Sequence, residues 1–226
     1  MSGPDGRAQY VAIITDGNGR WAQSRDLPVA EGHRAGADVV KARLRDAARL
    51  GVRELTVYSF STENWSRPAE EVTALMRMFS ERIIGETPEL KAEGVRMRFI
   101  GRRDRVAGAL LEQMDWAEAQ TAENDTITLF IAFNYGGRAE ILDAAARFDG
   151  EGGEEAFRAL LYAPEMHDPD LVIRTSGEQR TSNFLLWQAA YSEWVFRDEL
   201  WPDFSREAFE ASLTEYQERT RRFGGR

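Results

Sequence analysis

The fold is decided by a short apolar run rich in β-branched residues, Tyr10-Val-Ala-Ile-Ile-Thr15, which Asp16-Gly-Asn-Gly19 follows directly. A run of this composition predicts a buried strand, and the glycine-rich cluster after it predicts a turn. Similar runs predict four further strands, at Leu55–Phe60, Val95–Ile100, Thr126–Phe133 and Leu171–Ile173. Helical spacing of apolar residues continues from beyond His33 to Gly51, and through Pro68–Ile83, Gly108–Asn124, Glu140–Phe148 and Phe204–Arg222. This alternation predicts an α/β fold with a mostly parallel central sheet flanked by helices.

Length and composition narrow the class of protein. The 226 residues suit a single domain, 1–226, with residues 1–9 as a disordered tail. A formal net charge of −9 argues against a nucleic-acid partner. Cysteine is absent and only His33 and His167 are present, which excludes disulfides, thiol nucleophiles and multi-histidine metal centres. Without an apolar leader or a run of roughly 20 apolar residues, we expect a cytoplasmic protein with no transmembrane segment.

Polar, arginine-containing segments follow four of the predicted strands. In open α/β sheets, ligands bind beyond the carboxyl ends of the strands. Glycines let backbone N–H groups approach an anion, and arginines pair with phosphate in two-pronged fashion. A carboxylate beside a phosphate is tolerated when a divalent cation lies between them, so Asp16 hints at Mg²⁺. The four segments are 16–21, 61–67, 134–138 and 174–182.

Two alternative interpretations of the first turn carry less weight. Gly17-Asn-Gly-Arg-Trp-Ala22 satisfies the dinucleotide fingerprint, but the acidic residue expected about 20 positions later is Asp38, which lies in a helical pattern. No Gly-Lys pair occurs, which excludes a Walker phosphate loop. The helix around Val72–Ile84 has an apolar face that either packs on the sheet or lines a tunnel.

Taken together, these segments resemble the cis-prenyltransferases, and among them the bacterial undecaprenyl diphosphate synthases. The resemblance runs from about Val11 to Gly225. The motifs that carry it are Asp16-Gly-Asn-Gly-Arg-Trp-Ala22, Gly32-His33, Phe60-Ser-Thr-Glu-Asn-Trp65 with Arg67-Pro68, Asn134-Tyr-Gly-Gly-Arg138, Arg174-Thr-Ser-Gly-Glu-Gln-Arg180 with Ser182-Asn183, and Trp201-Pro202. Such a family member condenses isopentenyl diphosphate units onto an allylic diphosphate, usually farnesyl diphosphate, with cis double bonds in a hydrophobic tunnel.

The resemblance also implies roles for particular residues. Asp16 is implied as the essential carboxylate that helps to hold Mg²⁺, and Glu193 as a second Mg²⁺ ligand associated with the neighbouring subunit of a homodimer. Ser61 and Asn64 are implied to position substrate or move the proton. The implied allylic-diphosphate cradle is Gly17, Asn18, Gly19 and Arg20, with His33 and Arg67 nearby. Arg174, Arg180 and Ser182 are implied to bind isopentenyl diphosphate, and the substrate set is completed by Trp21, Thr62, Glu63, Trp65 and Arg222, the last of these reaching across the dimer interface.

Some points stay open at this stage. The proton acceptor is Asp16, a relay of Asn64 and Ser61, or the departing diphosphate. Val29 stands where many members have an arginine, and Arg25 is a candidate replacement. The product is a polyprenyl diphosphate, such as the undecaprenyl carrier of wall polymers, or a short Z-prenyl diphosphate, with Phe133 as a candidate tunnel plug. Transient contact with a membrane surface would help product release. A non-catalytic partner subunit is disfavoured because the strand-one Asp16 and the phosphate arginines are present.

Overall fold

The computed structural model describes residues 6–219, and within them six strands form one fully parallel sheet. The strands are β1 (Tyr10–Ile14), β2 (Glu54–Ser61), β3 (Val95–Ile100), β4 (Ile127–Tyr135), β5 (Leu171–Arg174) and β6 (Glu193–Phe196). Their order across the sheet is β3-β4-β2-β1-β5-β6, so β1 lies near the centre. The predicted α/β class and its five strands are confirmed.

The sixth strand was not predicted. Glu193–Phe196 has four residues at the edge of the sheet, where only β5 pairs with it. A run this short carries little periodicity, and the apolar residues before it mask its start. The strand matters because it places Glu193 in register with Leu171, at the amino end of β5.

Seven helices of the described chain surround the sheet. Their bounds are α1 (Asn18–Gln23), α2 (Val29–Arg49), α3 (Ala69–Ala92), α4 (Gly108–Thr121), α5 (Gly137–Ala145), α6 (Gly153–Arg158) and α7 (Arg206–Glu218). Two were not predicted: α1 begins inside the predicted turn, and α6 lies in a stretch for which the sequence predicted no helix. Glycines precede both, at Gly17 and Gly152, and their turn signal obscures the short helix that follows. The third helix starts after Pro68 as predicted but continues nine residues beyond Ile83.

The strands divide the hydrophobic core into two layers because side chains alternate along a strand. Val11 and Ile13 of β1 face one core, which holds buried residues of α2, α3, α4 and α7. Ala12 and Ile14 face the other, which includes Met166 and Phe184. The layer over α2 and α3 is the one that borders the functional site.

The start of the described chain is held more firmly than a tail over residues 1–9 implies. Ala8 is buried in the core, and the Gln9 amide donates to Asp170 Oδ2 at 2.8 Å. His167 is exposed over more than half of its side chain and stacks on Tyr10 with ring centroids 4.2 Å apart. Within residues 6–219, no helix combines the length and apolar character that crossing a bilayer demands.

Candidate active site

A polar cleft opens at the carboxyl end of β1, where the chain turns into α1. It is lined by Thr15, Asp16, Gly17, Asn18, Gly19, Arg20, Gln23, Val29, His33, Arg67 and Glu71. The lining comes from the end of β1, from α1 and α2, and from the segment between β2 and α3. Six residues expected from sequence to bind the allylic diphosphate therefore meet at the predicted edge of the sheet, together with Asp16. We call this cleft the mouth.

The turn at the mouth requires glycine for two separate reasons. Gly17 has a φ of 112°, in the left-handed region that other residues rarely adopt. A side chain there would also approach Leu200 Cδ2 at 2.9 Å. At Gly32, a Cβ atom would lie 2.0 Å from the backbone oxygen of Asn18. Both glycines let α1 pack closely against its surroundings, which fixes the position of Asn18 in the mouth.

Asp16 is held by two arginines from different elements. Its Oδ2 accepts from Arg174 Nη2 at 2.9 Å, and its Oδ1 lies 3.5 Å from Arg20 Nη2. Burial raises the pKa of the Asp16 carboxyl, but hydrogen bonds from Arg174 and Ser176 and the charges of Arg174 and Arg20 outweigh it, so the net pKa lies below its ordinary value. Asp16 is therefore an anion at neutral pH.

Arg174 is almost fully buried, with 3% of its surface exposed. Besides Asp16, its guanidinium donates to Ser182 Oγ at 2.7 Å and to the backbone oxygen of Arg180. These bonds fold residues 175–182 into a loop that starts and ends at Arg174. The Arg180 side chain is more than half-exposed and pairs with Glu178. The loop thus places the exposed side chain of Arg180 near the buried guanidinium of Arg174.

His33 and Arg67 both lie beside the carboxylate of Glu71, which the sequence motifs do not identify as a site residue. Glu71 Oε1 accepts from Arg67 Nη1 at 3.0 Å and lies 3.8 Å from His33 Nε2. Burial and the charge of Arg67 lower the pKa of His33, and Glu71 opposes them without reversing the shift. His33 is therefore neutral at pH 7. The four-residue spacing of Arg67 and Glu71 is the sequence signal for this pair.

Ser61 and Asn64 form a capping box around a short 3₁₀ turn, Thr62–Ser66. The Ser61 amide donates to Asn64 Oδ1 at 3.0 Å, and the Ser61 side chain accepts from the Asn64 backbone. Within the same turn, Glu63 Oε1 accepts from Asn183 Nδ2 at 2.9 Å. This bond ties the 3₁₀ turn to the Arg180–Ser182 loop, so the two walls of the site are joined through Asn183.

Trp21, Trp65 and Arg25 lie outside the set that lines the mouth. Trp65 Nε1 donates to Asn134 Oδ1, and Trp21 Nε1 to Asp203 Oδ1, each at 2.7 Å. Arg25 also binds Asp203, at 3.0 Å. Arg25 is therefore engaged elsewhere and does not replace the arginine that Val29 displaces.

A second, mainly apolar cavity continues from the mouth. The two share Thr15, Asn18 and His33, and the second encloses about 820 Å³, part of it open to solvent. It runs between α2, α3 and the sheet. Its other lining residues are Gly36, Ala37, Val40, Val57, Ser59, Leu75, Met78, Phe79, Arg82, Ile83, Glu86, Leu90, Met97, Phe99, Leu129, Ile131 and Trp201. The apolar face of α3 therefore does both: it lines the tunnel, and Leu75 and Ile83 also belong to the hydrophobic core over the sheet.

Phe133 is not among the residues that line this tunnel, so its assignment as a plug is wrong. It is 3% exposed and packs edge-on against Phe79, with ring centroids 4.7 Å apart. Phe79 is the ring that faces the tunnel. Strand β4 ends at Tyr135 rather than at Phe133, so Phe133 lies within the sheet and not at its exposed end.

Glu193, expected to bind Mg²⁺, lies away from the mouth. Glu193 begins β6, in register with Leu171, whereas Arg174 at the far end of β5 contacts Asp16. The separation along β5 is about 10 Å at 3.3 Å per residue. Glu193 pairs instead with Arg219 at 2.8 Å. Arg222 lies outside the described residues.

The residues of the mouth suit a magnesium ion that is bound partly by the protein and partly by the phosphates of a substrate. Across residues 6–219, no cluster of three or more acidic or histidine side chains could hold a metal alone. Mg²⁺ commonly binds through one or two carboxylates plus substrate phosphates and waters. Asp16 is ionised, partly exposed and surrounded by candidate phosphate ligands, which satisfies that requirement.

The chain is similar in sequence and in structure to several known proteins. Residues 14–224 match a family model described as "Putative undecaprenyl diphosphate synthase". An isoprenyl transferase of Thermotoga maritima is 50% identical, covering 96% of this chain and 97% of its own. Lavandulyl diphosphate synthase from Lavandula x intermedia, solved with dimethylallyl diphosphate, superposes with a TM-score of 0.94 at 32% identity, over 98% and 100% of the two chains. A probable undecaprenyl diphosphate synthase from Campylobacter jejuni gives 0.83 at 28%, over 96% and 99%.

Proposed function

The chain belongs to the undecaprenyl diphosphate synthase family of prenyltransferases, and from that premise we propose that it condenses isopentenyl diphosphate onto an allylic diphosphate with cis geometry. One observation carries the proposal: a mouth that holds two arginines and the carboxylates of Asp16 and Glu71 opens directly into a mainly apolar tunnel. A prenyl diphosphate has the same division, with a charged head and a hydrocarbon tail. The substrate would therefore lie with its diphosphate at Asp16 and its chain between α2 and α3.

The two diphosphates are assigned to two groups of residues. The allylic diphosphate would occupy the mouth, beside Arg20 and Arg67, because the mouth continues into the tunnel and shares Thr15, Asn18 and His33 with it. The dimethylallyl diphosphate bound by the lavender enzyme supports an allylic substrate here. Isopentenyl diphosphate would bind the Arg174–Ser182 loop, where the Arg180 guanidinium is exposed. Asp16 lies between the two groups, since it contacts both Arg20 and Arg174.

The charges present suit the reaction. Loss of the allylic diphosphate develops negative charge on the leaving oxygens, which Arg20 and Arg67 are placed to stabilise. A bound magnesium ion supplies Lewis-acid stabilisation of the same leaving group. The alkene of isopentenyl diphosphate attacks the allylic carbon, and loss of a proton from the adduct restores a double bond. The ionised Asp16 and the departing diphosphate are both candidate acceptors; Asn64 Oδ1 already accepts from Ser61, which weakens the relay.

We also propose an oligomeric state and a class of product. A homodimer is supported by the position of Glu193, because one chain cannot bring Glu193 and Asp16 to the same site. The proposed product is a polyprenyl diphosphate such as undecaprenyl diphosphate, and the alternative is a short Z-prenyl diphosphate, which the likeness to lavandulyl diphosphate synthase supports. A cytoplasmic location and transient contact with a membrane surface stay predictions.

The test is incorporation of labelled isopentenyl diphosphate in the presence of farnesyl diphosphate and Mg²⁺, with mass analysis of the products. We expect cis-prenyl diphosphates whose formation stops on chelation of the metal. A primer whose allylic double bond is saturated is the control, because it cannot form a stabilised cation and should not be extended. Absence of incorporation by protein that is folded by circular dichroism would contradict the proposal.

A further inference from the structure

A set of charged side chains joins α2 and α3 along the deep half of the tunnel. On α2 the set occupies one stripe with spacings of four and three residues, and α3 presents a matching stripe. We call this set the ion-pair ladder; its members are Asp38, Lys41 and Arg45 on α2, and Arg82, Glu86, Glu89 and Glu93 on or at the end of α3.

The rungs succeed one another in the same direction along both helices. Arg82 Nη1 lies 2.6 Å from Asp38 Oδ1, and its Nη2 donates to the backbone oxygen of Arg34 at 3.2 Å. Lys41 Nζ follows, 3.0 Å from Glu89 Oε2. Arg45 closes the series at 2.6 Å from Glu89. The two helices are therefore parallel and clamped from Asp38 onward.

Two members of the ladder also form part of the tunnel wall. Arg82 and Glu86 line the tunnel and bond to each other at 2.7 Å, in a wall that is otherwise mainly apolar. Arg82 follows Glu71 of the mouth by eleven residues on α3, which is about 16 Å along the helix. A hydrocarbon chain growing from the mouth reaches these charged groups only after it has filled the upper part of the tunnel.

Nearer the mouth the cross-helix contact is weaker, because His33 on α2 lies 3.8 Å from Glu71 on α3 and is neutral. Ala30 and His33 on α2, with Ala74, Leu75 and Met78 on α3, line a separate opening of about 570 Å³ between the helices. The wall between α2 and α3 is thus open in its upper part and sealed by charge in its lower part. This change along one wall distinguishes the ladder from ordinary surface ion pairs.

We propose that the ion-pair ladder, through Arg82 and its partners, limits the length of the prenyl product. This inference rests on the proposed function. A chain that has filled the tunnel can grow further only if α2 and α3 separate, which breaks the rungs. Contact between hydrocarbon and the paired Arg82 and Glu86 is also unfavourable because it strips water from their charges. Both effects oppose further elongation at the same depth.

The experiment compares product lengths from the wild type, Arg82→Gln and Asp38→Asn at matched extents of reaction. Asp38 is 67% exposed, so Asp38→Asn removes one charge of the cross-helix pair, and leaves at most a neutral hydrogen bond, without disturbing the core. Arg77→Gln is the matched control, because Arg77 pairs with Glu81 on the outer surface of α3 at the same helical spacing but outside the ladder. Each protein is assayed at low and high ionic strength, since partly exposed pairs weaken with salt.

We expect the commonest product of Arg82→Gln and Asp38→Asn to lengthen by at least about one isoprene unit, with the Arg77→Gln product unchanged. Salt should lengthen the wild-type product more than that of Arg82→Gln, because the variant has already lost the Arg82 rung and keeps those of Lys41 and Arg45. If the wild type forms products whose length neither variant changes, this inference is overturned and the proposed function stands. If the folded wild type forms no condensation product, the proposed function fails first and the inference with it.

Discussion

Replacement of Asp16 tests both the chemistry and the packing of the site, and the two effects are separable. Asp16→Ala removes the carboxylate that Arg174 and Arg20 contact at 2.9 and 3.5 Å. Arg174 is nearly buried and keeps its bonds to Ser182 and Arg180, so it loses one charge-assisted bond of about 2 kcal/mol rather than all its partners. Asp16→Asn keeps an oxygen for Arg174 and should cost about half as much stability, about 1 kcal/mol.

Turnover should respond differently from stability. Both variants lack the negative charge, so both should lose at least about 10²-fold in kcat, the size of effect seen when one preorganised electrostatic group is removed. Urea unfolding measures the stability difference, and incorporation of labelled isopentenyl diphosphate measures turnover. Near-normal turnover by Asp16→Ala would remove Asp16 from the proposed chemistry. Loss of turnover in Asp16→Ala alone, with Asp16→Asn active, would mean that Asp16 acts by holding Arg174 and not by its charge.

Three further predictions concern residues around the site. Asn183→Gly keeps the left-handed backbone (φ 63°) but removes the side-chain bonds to Glu63 and to the Arg138 amide; kcat/KM for isopentenyl diphosphate should fall about tenfold in steady-state assays, and urea unfolding should show a stability loss of about 1–2 kcal/mol. Burial raises the pKa of Glu140 above 4.5, so the unfolded state ionises first and stability falls as pH rises from there; unfolding curves of Glu140→Gln should lack this fall. Phe133→Ala should lose about 3–5 kcal/mol on urea unfolding without lengthening products, because Phe79 separates it from the tunnel.

The strand ends were the part of the site that sequence patterns predicted well. A parallel sheet brings the carboxyl ends of its strands to one edge, and β1, β2 and β5 indeed deliver Asp16, Ser61 and Arg174 there. The prediction needed only the strand positions and the polar segments after them. Which side chains pair with each other within the site was harder to predict from the sequence. That Arg25 turns to Asp203 rather than to the mouth depends on a contact 178 residues distant.

The misassigned Phe133 illustrates a second limit. Apolar residues at the end of a buried strand look the same in sequence whether they face a cavity or a neighbouring ring. The irregular register between β2 and β4 at Phe60 and Phe133 decides which way these rings point, and no local pattern encodes it. The regular spacing of the charged residues of the ion-pair ladder is visible in the sequence of each helix. Only the parallel packing of α2 and α3 shows that the two stripes face each other.

The place of β5 in the sheet has a consequence for biosynthesis. β1 emerges first from the ribosome, yet its second neighbour pairs Val11 with Leu171, 160 residues later. Until then one side of β1 is an unpaired edge, and such edges favour association with other chains. Pairings this distant also slow folding. Arg174 arrives on the same strand, so β1 gains its second neighbour and Asp16 gains its buried partner in one late step, before β6 is added at the edge, and truncation before β5 would leave both missing.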